Sequence, residues 1–200
     1  MHLAAQMPSI WYENGLHCAP VSPDCSLEVT GFSFAGVPGI VVGHNANLAW
    51  GFTNVGPDVV DLYIEKINPQ NPDQYEYQGE WVDMQIVTEL INVAGDGPVE
   101  LTTRITRHGP LITDVYGLQD FHETAGVDLP ENYAISLRWT ALEPTCLMCA
   151  IWGFDSAQDW DQFRAAAAQF SAPSQNIVYA DQEGNIGYQT PGNIPIRAEG

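Results

Sequence analysis

Cations are what this chain has least of. Six Lys and Arg stand against 25 Asp and Glu in 200 residues, a formal charge of −19. That disfavours nucleic acid as a partner, because phosphate contacts need cations, and it disfavours an anionic membrane surface for the same reason. Long apolar runs are also missing, and none reaches the length that spans a bilayer. Met1-His2-Leu3 lacks the charged start and apolar middle of an export signal. Read as a complete chain, that points to the cytoplasm. Internal repeats and low-complexity segments are absent as well.

What is present argues for a packed protein. Hydrophobic residues make up 45%, with six Trp, eight Tyr and seven Phe, which is ample for a core. The length suits one domain or a piece of a larger one. The acidity suits an exported soluble protein or one that holds a divalent cation; a solvated acidic surface is the plainer reading.

The cysteines contradict a cytoplasmic location. Cys18 and Cys25 flank a Pro-containing loop, and Cys146 and Cys149 form a C-x-x-C. Two local disulfides are the preferred reading among three connectivities, and they imply an oxidising compartment. A zinc site competes, but only the second pair has ordinary zinc spacing, and Leu147-Met148 between its cysteines is apolar. A thioredoxin-like motif would need a βαβ pattern, and none surrounds it. An oxidised protein without a leader implies an N-terminus upstream of Met1.

The pattern along the chain is mostly period two. Residues 1–25 show no sustained period beyond a short strand at Ile10–Tyr12. Alternation predicts strands over 26–34, 40–42, 48–53 and 59–67. A loop follows at 68–72, and 75–77 and 80–82 flank Gln78-Gly79 as a tight hairpin. Strands over 84–93 and 99–106 precede the breaker His108-Gly109-Pro110. Residues 116–132 read as an acidic exposed excursion, and 133–139 return to the sheet. One segment reads as helical: Ser156 as cap with Asp159 three residues on, then Trp160, Phe163, Ala167 and Phe170 on one face, ended by Pro173. Residues 176–179 and 186–189 make a last hairpin. The fold class is α+β, mainly antiparallel β with a covering helix.

The stretch Gly43–Glu65 gathers the features of a site: a Gly-His-Asn turn, a Trp, then Asn54 and two aspartates, Asp58 and Asp61, after Gly56-Pro57. A strand would send residues three apart to opposite faces, so the two carboxylates converge only if Pro57 turns the chain.

Gly-His-Asn, Leu-Ala-Trp-Gly-Phe-Thr-Asn and Asp-Val-Val-Asp-Leu-Tyr-Ile-Glu together resemble the penicillin amidase (penicillin acylase) family of N-terminal-nucleophile hydrolases. Residues 75–81, 107–112, 137–140 and 179–188 resemble further family blocks, in order along nearly the whole chain. The resemblance implies that residues 1–200 are part of a four-layer αββα sandwich, an internal piece of the large subunit incomplete at both ends. It also implies cleavage of a linear amide, the acyl side chain of a β-lactam, an acyl-homoserine lactone or a lipopeptide. The nucleophile would be an N-terminal Ser (in some members Thr or Cys) exposed by self-processing, its own α-amine serving as base. That residue would lie before Met1, so this chain alone would be inactive. Ser9, Ser22, Ser26 and Ser33 cannot replace it, since none offers a free α-amine.

Residue by residue, the resemblance gives His2 a positioning role and makes the backbone N–H of Asn54 an oxyanion donor. Asp58, the carbonyl of Val60 and Asp61 match calcium ligands, and Val42, Phe52 and Trp139 match the acyl pocket. His44, Asn45 and His108 read as turn and network residues. The implied cofactor is structural Ca2+ in the intact parent, with no organic cofactor. Calcium wants six to eight oxygens, and this segment supplies part of them. The implied partners are the remaining large-subunit segments, a small subunit and a small-molecule acyl amide, in the periplasm or outside the cell. The competing function is an exported β-rich binding module, stabilised by calcium or disulfides, that does no chemistry.

Overall fold

Alternation in Glu28–Phe34 gives that strand two unlike faces: Val29, Gly31 and Ser33 are buried while Glu28, Thr30 and Phe34 are exposed. The computed structural model describes residues 10–20, 22–23, 25, 27–126 and 128–198. These divide into two units, one built from residues 1–59 and 143–200, the other from residues 60–142.

The first unit holds a six-stranded antiparallel sheet in the order β1-β2-β3-β4-β11-β12. The strands are β1 (Trp11–His17), β2 (Glu28–Phe34), β3 (Val42–Asn45), β4 (Leu48–Asn54), β11 (Gln175–Asp181) and β12 (Ile186–Gln189). One face is covered by α2 (Leu147–Ser156) and α3 (Trp160–Ala167). There Val29, Leu48, Trp50, Ile177 and Tyr179 pack with Ile151, Phe154, Phe163 and Phe170. Gly31 and Gly43 are register partners on this face. A Cβ on either would lie 2.2 Å from a main-chain oxygen of the other strand, and Ile40, fully buried, fills the space above both.

The second unit holds a four-stranded sheet in the order β10-β5-β6-β7, a separate pair β8-β9, and helix α1. Here β5 is Val60–Asn68, β6 Asn71–Tyr77, β7 Glu80–Asp83, β8 Gln85–Ile91, β9 Val99–Ile105, α1 Thr113–Ala125 and β10 Tyr133–Trp139. Its small core is Tyr75, Met84, Leu111 and Ala134.

Four sequence expectations are corrected. The first strand runs to His17, because β1 pairs with β2 from Trp11↔Phe34 to His17↔Glu28; as an edge strand with much exposed surface it shows no clean period. The loop expected over 68–72 narrows to the two-residue turn 69–70 between β5 and β6, with Asn68 Oδ1 accepting from the Gln70 N–H at 2.9 Å. The expected excursion over 116–132 contains much of α1, a polar helix kinked at Gly117 (φ 73°) and ended by Gly126 in the left-handed region. Gly117, with its non-helical backbone, interrupts the period that would mark a helix. Its start is docked by the Arg104–Asp114 ion pair and by Thr113 Oγ1, which accepts from the Ile135 N–H at 3.2 Å.

The fourth correction is α2. It has no side-chain cap, and its ten residues are too apolar to show a polar face. Ser156 belongs to its last turn, where its hydroxyl donates to the Trp152 carbonyl at 2.7 Å. The cap of α3 is Asp159, whose carboxylate accepts from the Gln162 N–H at 2.9 Å.

Asp155, 1% exposed, closes α2 against the sheet. Its Oδ2 accepts from the Ile40 N–H at 3.0 Å, while Oδ1 is buried with no partner. Burial disfavours the charged form and pushes the carboxyl up to about 6; the single bond from Ile40 only partly opposes this. The native state therefore holds a proton that the unfolded chain has lost between about pH 4 and 6. Stability is greatest below that window and falls as pH rises through it, by up to about 3 kcal/mol. Asp155→Asn is expected to flatten this fall and to raise stability at pH 7, measured as urea midpoints from pH 4 to 8. A midpoint that drops equally at every pH would contradict it.

Candidate functional site

The Gly-His-Asn turn is built by one side chain. Asn45 Oδ1 accepts from the N–H groups of Asn47 and Leu48 at 2.9 and 3.0 Å, closing the β3–β4 hairpin. Its Nδ2 donates to the carbonyls of Asp155 and Ala157 at 3.3 and 2.7 Å, tying that hairpin to the end of α2. His44 is exposed, its Nδ1 3.3 Å from the Asn45 carbonyl. The β11–β12 turn docks beside them, with the Gln182 N–H on the Asn47 carbonyl at 3.1 Å. Asn45 thus serves as the network residue its sequence context suggested.

Strand β4 then carries the chain to Asn54, its last residue and the register partner of Gln175. Residues 55–59 are irregular. The Asn54 carbonyl accepts from Asn176 Nδ2 at 3.1 Å. Asp58, still in the first unit, is exposed and faces Arg197: Nη2 lies 3.3 Å from its Oδ1, and Nη1 donates to its carbonyl at 3.1 Å. Val60 and Asp61 open β5 in the second unit, and Asp61 is the register partner of Arg138.

The donors of 58–61 are hard oxygens of the kind calcium takes. The Asp58 carboxylate and carbonyl already receive one cation together, the Arg197 guanidinium. Among the described residues no three His, Cys, Asp or Glu side chains cluster as a metal site. The segment fits calcium in kind and falls short of it in number.

The two acyl-pocket candidates of the first unit leave opposite faces of its sheet. Phe52 points into the helix-covered core, edge-on to Phe154 and Phe170 at centroid distances of 5.9 and 5.6 Å. Val42 neighbours Gly43 in β3 and so projects from the opposite face, beside its partner Phe32. Trp139, partly exposed, ends β10 in the second unit. His2 lies outside the described residues.

The face of the first unit's sheet opposite its helices carries an open apolar groove of about 600 Å³. Ala49, Gly51, Val178, Ala180, Ile186 and Tyr188 line it. The small residues form its floor, and Ile186 and Tyr188 stand exposed at its side. The four cysteines form the disulfides Cys18–Cys25 and Cys146–Cys149, with Cα–Cα distances of 6.0 and 5.2 Å. None is left as a free thiol for zinc.

One polar cluster escaped the sequence reading. In the second unit, buried Glu65 receives three donors on Oε1: Thr106 Oγ1 at 2.7 Å, Ser136 Oγ at 2.8 Å and His108 Nδ1 at 2.8 Å. Tyr63 stacks flat on the His108 ring at 4.0 Å. Gly109 (φ 143°) lies so close to Leu137 that a Cβ would sit 2.0 Å from its carbonyl oxygen. Ser136 bonds the carboxylate and not the imidazole, so the cluster has no activated nucleophile; it fixes the His-Gly-Pro turn. Its sequence signal was an acidic residue on an otherwise mixed strand, which names no partner.

With this geometry in place, comparison with known proteins gives one result. The Penicillin amidase family model matches residues 1–200, and the chain belongs to that family. It is 32% identical over 200 residues to the acyl-homoserine lactone acylase QuiP of Pseudomonas aeruginosa, covering 100% of this chain and 23% of that protein. It is also 32% identical over 194 residues to the penicillin G acylase of Escherichia coli, covering 96% and 21%. A solved thermostable penicillin G acylase from Alcaligenes faecalis superposes with a TM-score of 0.71 at 30% identity, covering 92% of this chain and 30% of that one. The chain therefore spans about a quarter of the length of the curated relatives it matches.

The Glu65 cluster generates a stability prediction. Glu65→Ala strands the Ser136 hydroxyl and the imidazole and leaves the Thr106 hydroxyl only the Gly109 carbonyl as acceptor, and is expected to cost about 3 kcal/mol; Ser136→Ala removes one donor and should cost about 1 kcal/mol. Chemical denaturation of the two variants checks the order. Equal losses would show that Ser136 Oγ, and not the shared acceptor, carries the cluster.

Proposed function

We propose that this chain is one wall of an acylase that hydrolyses a linear amide bond of a small acyl amide. The observation that carries the reading is the family match across the whole chain, joined to the position of Asn54. That residue is the last of β4, and its N–H shares a peptide plane with Thr53, which the register with Asn176 on β11 holds. An N–H fixed in this way is what a tetrahedral oxyanion needs, and one such donor is worth about 10²- to 10³-fold in kcat. The nucleophile is an N-terminal Ser, Thr or Cys contributed by polypeptide outside this chain, with its α-amine as base. Val42 in the first unit and Trp139 in the second are each kept, on the resemblance, as acyl-contact residues. Phe52, being edge-on to Phe154 and Phe170, acts on that pocket only through the core.

Asp58, the Val60 carbonyl and Asp61 would hold part of a structural calcium shell in the assembled protein, with the other oxygens supplied by further segments. The ion would fix the connection after Asn54 and take no part in the chemistry. The two disulfides support an oxidising location, the periplasm or the exterior.

Two measurements test this. The full open reading frame containing the chain should self-process to a new N-terminal Ser, Thr or Cys and hydrolyse chromogenic phenylacetyl or fatty-acyl amides. The 200-residue chain alone should not. Turnover that tracks the pure short chain, or a processed protein inert towards every acyl amide, would sink the proposal. For calcium, chelation should lower the melting temperature of the processed protein by several degrees, reversed by Ca2+ and not by Mg2+. A melting temperature indifferent to chelator would remove the ion from the reading.

A further inference from the structure

The chain beyond β12 stays against the first unit. The Gln175 N–H donates to the Pro191 carbonyl at 3.3 Å, and the Asn193 N–H donates to the Ser171 carbonyl at 2.7 Å. Between them Gly192, at φ 133°, packs so closely that a Cβ would sit 2.1 Å from Ser174 Oγ. Residues 191–193 are therefore strapped to the start of β11. Gln175 is the register partner of Asn54, so the strap also passes beside the end of β4. Four residues further on, Arg197 reaches Asp58.

Arg197 holds Asp58 as a cation would. Nη2 lies 3.3 Å from Oδ1, and Nη1 donates to the main-chain carbonyl at 3.1 Å. One guanidinium thus spans a carboxylate and a carbonyl, the two kinds of oxygen that a hard divalent ion takes. The pair is open to solvent: the Asp58 side chain is 75% exposed and that of Arg197 37%, so a hydrated ion reaches the carboxylate without any opening of the fold. An exposed ion pair is weak enough to be exchanged. A dication on either carboxylate oxygen would face the guanidinium across a single carboxyl group, and like charges at that range disfavour joint occupancy.

We infer that Arg197 and a divalent cation are alternative occupants of Asp58. The guanidinium clasps the strap to the connection after β4 when the ion is absent, and the ion releases that clasp when it binds. This rests on the calcium part of the reading given above and supplies the ion's competitor from within the chain. The linkage is reciprocal: Arg197 weakens ion binding by the same factor by which the ion weakens the clasp.

The test uses the processed protein, stripped with chelator and titrated with Ca2+ by calorimetry. Arg197→Gln should bind Ca2+ about two- to fivefold more tightly than wild type, the factor that an exposed ion pair supplies. Arg164→Gln removes the same charge from α3, where that side chain bonds Gln189, and should match wild type. A second arm needs no variant. Modification of Arg197 by phenylglyoxal, read by peptide mass spectrometry, should be accelerated about two- to fivefold by saturating Ca2+ at matched ionic strength. Unchanged or weakened affinity in Arg197→Gln would overturn the inference. So would an equal gain in Arg164→Gln, which reports net charge alone, or a modification rate indifferent to Ca2+. If wild type binds no Ca2+ and Arg197→Gln does, the competition stands and the calcium reading fails. If neither binds, both fail.

Discussion

The first unit depends on one side chain that closes a hairpin and holds a helix at the same time. Asn45 spends its oxygen on the β3–β4 turn and its amide on the last carbonyls of α2. Asp155, whose carbonyl is one of those acceptors, sends its carboxylate back to the Ile40 N–H. Ile40 then fills the space over Gly31 and Gly43. Helix, loop and sheet are thereby fixed to one another within a few residues, and β4 leaves this region in a single register. The role proposed for Asn54 rests on that, because a strand end holds a peptide group in one place only if its other end is anchored.

The two faces of the sheet divide the labour. Trp50, Phe52, Ile177 and Tyr179 bury themselves under α2 and α3, which supplies the apolar stabilisation. The opposite face keeps small residues at Ala49, Gly51 and Ala180 and places Asn176 and Tyr188 above them. Alternation makes this division unavoidable, and it explains why Val42 and Phe52, ten residues apart on neighbouring strands, serve different surfaces. A pocket position taken from a sequence block carries no information on which face its side chain leaves.

Much of this was legible in the sequence, for physical reasons that differ by element. Strands β2, β4 and β5 were visible because each has one buried face, and the period of two is the record of that burial. The Gln78-Gly79 hairpin was visible because positive φ at both residues favours few residue types. Helix α2 was invisible because its first eight residues are all apolar or glycine and mark no polar face, and α1 because Gly117 interrupts its period near the start. The position of the α3 cap slipped by three residues, since Ser156 and Asp159 both satisfy the local signature and only the end of α2 decides between them. The candidate site was legible as a stretch of chain and not as a surface. Its partners Asn176 and Arg197 are remote in sequence, and hydrogen bonds between distant residues leave no local period.

An acidic chain with six cations must satisfy its carboxylates in another way, and the structure shows which. Asp159 takes the Gln162 N–H, Glu65 takes two hydroxyls and an imidazole, and Asp181 takes the N–H groups of Glu183 and Asn185 with the Asn185 amide and the Tyr179 hydroxyl. Asp155 takes one N–H. The consequences diverge. The Asn185 side chain, foremost among the donors around Asp181, holds that carboxyl below its ordinary range, whereas burial with a single donor lifts Asp155 to about 6. Tyr179, buried first and then bonded to charged Asp181, is pushed up to about 12 and stays a donor at every physiological pH. The number of N–H and O–H groups aimed at a carboxylate, weighed against its burial, decides whether it is a fixed anion or a group that titrates. By that measure the Asp181 carboxylate in the β11–β12 turn is a fixed anion, and Asp155, at the joint between α2 and the sheet, is a carboxyl that titrates near neutrality.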